Sequence, residues 1–150
     1  MTERTVTAEE MQSMLKQQLS EGLPFFLTVT GSSMEPFLRH ERDQVILVSG
    51  EQCRPCPGEI ILFRRLDGSC VLHRIIKNGT GRFLVNGDAQ SWTEWVQEEQ
   101  ILAVAEGMVR KGRYLSCRNL FYRFCVKFWG ILRPFRKCIF SAAGKLKKNL

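Results

Sequence analysis

The sequence has no long hydrophobic run. No uncharged stretch approaches the ~20 apolar residues that a helix needs to span a bilayer. The N-terminus also lacks the charged start and apolar stretch of a secretory signal. These absences predict a protein that is cytoplasmic or lies peripherally on the cytoplasmic face of a membrane.

Metal-binding residues are scarce in any recognisable arrangement. The chain has two histidines and six cysteines. Cys53 and Cys56 have the spacing of half a zinc site, but no second Cys pair or His pair stands at a matching spacing. We therefore expect reduced thiols, no metal and no cofactor, with a disulfide or metal clip at Cys53 and Cys56 as the alternative.

Acidic residues are missing from the last part of the chain. Residues 1–108 carry 10 Lys/Arg and 15 Asp/Glu, whereas residues 109–150 carry 12 Lys/Arg and no acid, which together give the net charge of +7. The basic character therefore belongs to the tail alone. This split disfavours a uniformly basic nucleic-acid-binding domain, and no nucleic acid is expected as a partner.

The first 24 residues predict an amphipathic helix. Thr7 and Glu10 have the spacing of a capping box, in which each side chain bonds the other residue's backbone N–H. Apolar residues then recur at helical spacing, and Gly22 followed by Pro24 predicts the end of the helix.

Residues 25–110 predict a single, mostly antiparallel β domain. Short β-type runs alternate with turn residues, and Asp67-Gly68 and Asn78-Gly79 each lie between apolar runs, which predicts hairpins. The predicted strands are Phe25–Thr30, Gln44–Val48, Glu59–Phe63, Cys70–Ile76, Arg82–Asn86 and Ile101–Val109.

Residues 111–150 predict basic, aromatic-rich amphipathic helices that are interrupted near Pro134. Aromatic and aliphatic residues at spacings of three and four, mixed with Lys and Arg and without acids, are typical of a helix in an anionic membrane surface. A helix that packs on the β domain or binds a partner, with a solvated basic face, is the alternative.

A candidate nucleophile lies in the segment Gly31–Pro36, directly after the first predicted strand. Glycine permits a sharp turn there, which would expose a serine and leave backbone N–H groups free to bind an oxyanion. A serine hydroxyl also needs a neighbouring base. Because Ser32 and Ser33 are adjacent, the turn alone does not choose between them, and by itself the segment is more typical of a polar turn than of a catalytic site.

A candidate base lies in the fourth predicted strand. Alternation puts Val71, His73 and Ile75 on one face of that strand. Histidine has an ordinary pKa of ~6.5, close to working pH, although a histidine among apolar neighbours is most often structural. His40 is the weaker candidate because it lies in a solvated charged run close in sequence to the serines.

Taken together, these motifs resemble the type I signal peptidases. The chain shows Ser33-Met34-Glu35-Pro36, the run Pro57–Phe63, His73-Arg74 and Asn86-Gly87-Asp88 in the order of that family, over about residues 25–109. The resemblance is closer to the Ser–His branch than to the Ser–Lys branch. It implies the complex antiparallel β fold that signal peptidases share with self-cleaving repressors.

The resemblance also implies roles for individual residues. Ser33 would be the nucleophile, with its backbone contributing to the oxyanion site, and His73 would be the general base where Ser–Lys relatives carry lysine. Asp88 would support the histidine, and Glu94 is a possible additional acid. The implied function is a serine endopeptidase that cleaves a leader or signal peptide in a precursor protein. The alternative is a non-catalytic peptide- or membrane-binding module of the same fold.

Overall fold

The structure is a computed structural model that describes residues 6–149. Within these residues an N-terminal helix and two C-terminal helices flank a curled antiparallel sheet, which confirms the predicted mainly β fold. The helices are α1 (Ala8–Ser20), α2 (Leu120–Ile131) and α3 (Arg136–Lys148), and the strands are β1 (Phe25–Thr28), β2 (Asp43–Val48), β3 (Ile60–Arg64), β4 (Cys70–Asn78), β5 (Arg82–Asn86), β6 (Glu94–Gln97), β7 (Ile101–Arg110) and β8 (Arg113–Ser116). Short 3-10 helices cover Glu98–Gln100 and Arg133–Phe135, the second of which contains Pro134 at the predicted interruption.

Strand β7 connects parts of the sheet that are far apart in sequence. The strands follow the order β1-β2-β7-β3-β4-β5-β6, and β8 pairs with β7. The beginning of β7 pairs with β3, and the rest of it pairs with β2 and β8. One strand of ten residues therefore joins three others.

Both predicted hairpins are confirmed. Strands β3 and β4 are antiparallel across Asp67-Gly68, where Gly68 has a φ of 90°, in the left-handed region that glycine adopts most easily. Strands β4 and β5 are antiparallel across the turn that begins at Asn78-Gly79.

Strands β6 and β8 were not predicted from the sequence. Strand β6 has only two apolar residues, Trp95 and Val96, between polar ones, so it lacks the longer apolar run that predicted the other strands. Strand β8 follows a two-residue turn, Lys111-Gly112, in which both residues have positive φ (49° and 75°), the geometry of the tightest β-hairpins. The sheet therefore continues to residue 116, beyond the boundary predicted at residue 110.

Strand β3 separates two hydrophobic clusters. Ile60 and Leu62 point into the larger cluster, which includes Leu15 of α1 and residues of β2 and β7. Ile61 and Phe63 point into the smaller cluster with residues of β4, β5 and β6. Burial on both faces explains why this strand is continuously apolar, and each such side chain contributes roughly 1.5–3 kcal/mol of transfer free energy.

Helix α1 begins with the predicted capping box. The backbone N–H of Glu10 donates to Thr7 Oγ1 at 3.2 Å, and the backbone N–H of Thr7 donates to Glu10 Oε2 at 2.9 Å. The helix packs through buried Leu15, and Gln12 Nε2 donates to Cys70 Sγ at the start of β4. This packing places α1 beside the candidate site.

Two further observations concern membranes and metals. Across residues 6–149, none of the helices combines the length and the apolar character needed to cross a bilayer. All six cysteines are free thiols. Residues 6–149 contain no group of three or more His, Cys, Asp or Glu side chains arranged to hold a metal ion.

Asp43 connects the loop after β1 to the end of strand β7 through hydrogen bonds. Its carboxylate is fully buried and accepts hydrogen bonds from the side chains of Arg42 and Arg110 and from the backbone N–H of Arg39. Burial alone would raise the pKa of Asp43, but these hydrogen bonds outweigh it and lower the pKa to about 2. Arg110 also donates to the carbonyl of Phe37, so it holds this loop at a second point.

We expect Asp43→Asn to lower the free energy of unfolding by roughly 3 kcal/mol at pH 7, because it removes the buried carboxylate that accepts hydrogen bonds from Arg42 and Arg110. The depressed pKa means that the stabilisation is present above the ordinary carboxyl pKa of 3.8 and is lost as the pH falls towards 2. Urea unfolding at pH 7, 4, 3 and 2 should therefore show the variant approaching the wild type at the acid end. Glu51→Gln, at an exposed position, is the control, and a difference that does not change with pH would contradict this role of Asp43.

Candidate active site

The loop that follows β1 presents Ser33. Gly31 has a φ of 80°, which an L side chain would strain, and its N–H donates to Nδ1 of His40 at 2.9 Å. His40 thus belongs to the same loop as Ser33. Met34 is 2% exposed and anchors the loop in the larger hydrophobic cluster. Of the two serines, Ser32 is exposed and Ser33 is half-buried.

Ser33 and His73 line the same cavity. It has a volume of about 390 Å³ and lies between β1, the serine loop, β3, β4 and the segment around Trp92. The cavity wall also includes Arg65 and Gln90, together with apolar side chains such as Leu72. A concave, mainly apolar site with a few converging polar groups is the usual form of a substrate site.

The side chain of His73, on β4, is almost completely buried. Its side chain is 1% exposed, and its ring lies 5.8 Å from the ring of Phe63 and 5.7 Å from that of Trp92. Its Nδ1 lies 3.1 Å from Glu94 Oε1. These two atoms are close enough for a hydrogen bond, but their present alignment does not make one, and catalytic hydrogen bonds often tighten when substrate binds.

Glu94 is held by an arginine. Nη2 of Arg65 donates to Glu94 Oε1 at 2.6 Å, and Nε of Arg65 donates to Oε2 at 3.2 Å. This two-point contact orients the carboxylate at the start of β6. Together, His73, Glu94 and Arg65 form a chain of base, acid and cation along one wall of the cavity.

Burial lowers the pKa of His73 from its ordinary value of 6.5. The negative charge of Glu94 raises that pKa again in part, whereas the positive charge of Arg65 lowers it. The imidazole is therefore neutral near pH 7 and can accept a proton. Glu94 is placed to stabilise the imidazolium that proton transfer would create.

Asp88 lies against a different partner from the one predicted. Its carboxylate, 1% exposed, accepts two hydrogen bonds from Arg74, at 2.8 Å from Nε and 2.7 Å from Nη2. His73 and Arg74 are successive residues of a strand, so their side chains point to opposite faces, and Asp88 is paired on the Arg74 face. Asp88 was predicted to support His73, but the carboxylate that lies against the imidazole is that of Glu94.

The Arg74–Asp88 pair is enclosed by aromatic rings. Arg74 also donates to the carbonyl of Gly58 at 2.8 Å and to the hydroxyl of Tyr122 at 3.0 Å. Its guanidinium lies 5.2 Å from the ring centre of Phe37 and 5.6 Å from that of Tyr122. Burial raises the pKa of Tyr122 to about 12, so its hydroxyl stays neutral.

The loop that follows β5 contacts the backbone of the serine. The N–H of Ala89 donates to the carbonyl of Ser33 at 2.9 Å. A Cβ on Gly87 would lie 2.7 Å from that same carbonyl oxygen, so the close approach requires glycine. Gly87 and Ala89 thus pack the loop after β5 against the backbone carbonyl of Ser33.

The C-terminal helices hold the other side of this loop. Trp129 of α2 donates from Nε1 to the carbonyl of Asp88 at 2.6 Å. Arg136 of α3 donates to the carbonyls of Gly87 and Gln90 at 3.2 Å and 2.8 Å, and to the side chain of Asn86.

Sequence reasoning did not single out Trp129 or Arg136. Each lies in a region where aromatic and basic residues are common, and nothing in that pattern marks a contact with a loop more than 40 residues away. The burial of Arg136, which is 4% exposed among many exposed cations, appears in the tertiary structure alone.

A comparison with protein families agrees with this fold. The family model described as Peptidase S24-like matches residues 3–108, which is more than half of the chain. The match supports a peptidase-like or repressor-like fold and confirms the predicted resemblance to the superfamily of signal peptidases and self-cleaving repressors. No curated protein matches the chain.

We expect Gly87→Ala to destabilise the protein by roughly 1–3 kcal/mol, because the added methyl group would overlap the Ser33 carbonyl oxygen and the Gln90 side chain. Urea unfolding at pH 7 measures this change.

Gly130→Ala is the matched control, because a Cβ there meets open space within α2. That variant should keep or slightly raise the free energy of unfolding, by up to ~1 kcal/mol. Equal stability of the Gly87→Ala variant and the wild type would contradict close packing of Gly87 against the Ser33 carbonyl.

Proposed function

Because the chain belongs to the Peptidase S24-like family, we propose that it is a serine endopeptidase with Ser33 as nucleophile and His73 as general base. The observation that carries the proposal is the placement of Ser33 and a buried His73 on one cavity, with Glu94 and Arg65 behind the imidazole. A fold alone does not establish an activity, which depends on the residues of the site.

In the proposed reaction, His73 removes the proton of the Ser33 hydroxyl while Oγ attacks the carbonyl carbon of the scissile peptide bond. Negative charge collects on the carbonyl oxygen, where backbone N–H groups of the serine turn donate to it. The C–N bond then breaks, the imidazolium gives its proton to the departing amine, and the acyl group stays on Ser33. A water molecule, deprotonated by His73, attacks the ester, and the serine takes back a proton as the acid product leaves.

Glu94 and Arg65 have separate parts in this reaction. The carboxylate of Glu94 stabilises the imidazolium during each proton transfer, and Arg65 holds that carboxylate in position. Asp88 is a positioning residue. Its pairing with Arg74 fixes the loop whose backbone contacts the Ser33 carbonyl.

The substrate is an extended peptide segment, such as a leader or signal peptide of a precursor protein. Strand β1 ends the strand order, pairs with β2 on one side and leads directly into the serine loop. A peptide that adds to this edge as another strand would carry its scissile bond towards Ser33. The apolar wall formed by Leu27, Met34 and Leu62 favours small apolar side chains near the cut.

A second candidate function is a binding module that does not cleave. The present alignment of His73 with Glu94, which does not make a hydrogen bond, favours this alternative. A serine-directed fluorophosphonate separates the two candidates, because it forms a covalent adduct with an activated serine. Absence of an adduct on Ser33 in a protein that still binds peptides would support the module.

We expect Ser33→Ala to abolish fluorophosphonate labelling and peptide cleavage, and His73→Ala to lower the labelling rate by roughly 1000-fold or more. Ser32→Ala should react close to the wild-type rate, because Ser32 is exposed whereas Ser33 lines the cavity. Intact mass and peptide mapping identify the labelled residue. Full labelling of the Ser33→Ala variant would overturn the assignment of the nucleophile.

The pH dependence of labelling tests the state of His73. Because burial lowers the pKa of His73, the acid limb of the labelling rate should lie below pH 6.5, with the active neutral form present above it. Removing the negative charge of Glu94 should move the limb further down and slow labelling by roughly 100-fold.

Glu94→Gln makes this change, and Glu98→Gln, an exposed acid in the adjacent 3-10 helix, is the control. A limb at or above pH 6.5 in the wild type, or an unchanged profile in Glu94→Gln, would count against His73 as the base paired with Glu94.

A further inference from the structure

Helix α2 has an exposed apolar side. Its members share high exposure and lie on one side of the helix or on the following 3-10 turn: Leu120 (84%), Phe121 (76%), Phe124 (67%), Phe128 (56%), Ile131 (73%) and Phe135 (60%). At 3.6 residues per turn the helical members fall within an arc of roughly 100°. We call these six residues the α2 apolar face.

The opposite side of α2 already packs on the sheet. Tyr122 is buried and its hydroxyl accepts a hydrogen bond from Arg74, Val126 packs against the larger hydrophobic cluster, and Trp129 donates to the carbonyl of Asp88. These contacts fix the rotation of the helix about its own axis. The α2 apolar face is therefore directed away from the domain, and its burial needs another surface.

Positive charge borders this face. Arg123, Lys127 and Arg133 line a second cavity of about 380 Å³ between α2 and the sheet. Arg123 and Lys127 are exposed, and their N–H groups can donate hydrogen bonds to phosphate oxygens.

We propose that the α2 apolar face docks on the surface of an anionic lipid bilayer. Its aromatic and aliphatic side chains would enter the boundary between headgroups and acyl chains, and the bordering cations would contact lipid phosphates. An interfacial helix needs neither the length nor the uniform apolarity of a spanning helix, which none of the helices in residues 6–149 has.

Charge distinguishes the bilayer from a second copy of the chain. In a symmetric dimer through this face, each α2 would meet its own equivalent. Residues 109–150 carry 12 Lys/Arg and no acid, so such a contact would bring like charges together. An anionic bilayer supplies both the apolar phase and the opposite charge.

The test is sedimentation of the full-length protein with vesicles of phosphatidylcholine alone or with 30% phosphatidylglycerol, a composition chosen to supply about one anionic lipid in three. We expect binding to the anionic vesicles, weaker binding in 0.5 M salt and little binding to phosphatidylcholine. This readout is independent of peptidase activity, so its failure would leave the proposed function standing, and loss of the serine chemistry would leave the docking standing.

Two pairs of variants locate the contact. Phe121→Ser with Phe124→Ser should lower the partition coefficient about 10-fold or more, whereas Leu66→Ser, a fully exposed residue of the β3–β4 hairpin, should leave it unchanged. Lys127→Glu should lower it roughly fivefold or more, compared with Arg54→Glu, which makes the same charge change at an exposed position outside α2.

Three outcomes would overturn the proposal. One is equal binding to both kinds of vesicle, and another is equal loss in the control variants. The third is an absence of vesicle binding together with a dimer that the double Phe121/Phe124 variant dissociates in analytical ultracentrifugation, which would assign this face to a second copy. Circular dichroism of each variant shows that the fold is retained.

Discussion

The buried pair of Arg74 and Asp88 is the interaction on which the other parts of the site depend. It joins β4 to the loop after β5, and through Gly58 and Tyr122 it also joins the segment before β3 and helix α2. Removing two charges from water is costly, and a pair of this kind is maintained when its geometry is good and its remaining hydrogen-bonding groups are satisfied. Arg74 meets that condition with two bonds to Asp88 and two to other groups.

Alternation along β4 divides the site into two halves. The His73 side faces the cavity with Ser33, whereas the Arg74 side anchors the loop that contacts the Ser33 carbonyl. One strand therefore positions His73 directly and Ser33 through the loop. A register slip of a single residue would exchange the two faces of β4, so that His73 would no longer face the cavity and Arg74 would no longer face Asp88. The pairing of β4 with β3 and β5 therefore determines which side chain faces the cavity with Ser33.

The C-terminal helices belong to the site although the family match ends at residue 108. Their inner side holds the loop at Asp88 and Gln90 through Trp129 and Arg136. Their outer side carries the exposed α2 apolar face. Trp129 connects α2 to the loop that contacts Ser33 through one hydrogen bond, so the exposed α2 apolar face and the geometry of the site depend on the same helix.

Much of the local structure could be predicted from short sequence patterns. The Thr7–Glu10 capping box, the two glycine-containing hairpins and the interruption at Pro134 depend on neighbouring residues, whose backbone preferences act without help from the rest of the chain. Strand β8 was missed because Lys111-Gly112 has the φ angles of a tight hairpin without its usual Asn-Gly or Asp-Gly residues.

The candidate site could be predicted in part. The sequence by itself determined the candidate pair, because a serine after a glycine turn and a histidine on an alternating strand are local features, and the motif order pointed to a family. The tertiary structure decided that Ser33 rather than Ser32 lines the cavity, that Glu94 rather than Asp88 contacts the imidazole, and that Trp129 and Arg136 hold the loop. These choices depend on which face of a strand is buried and which distant segments pack against it, and such contacts exist only once the whole sheet has formed.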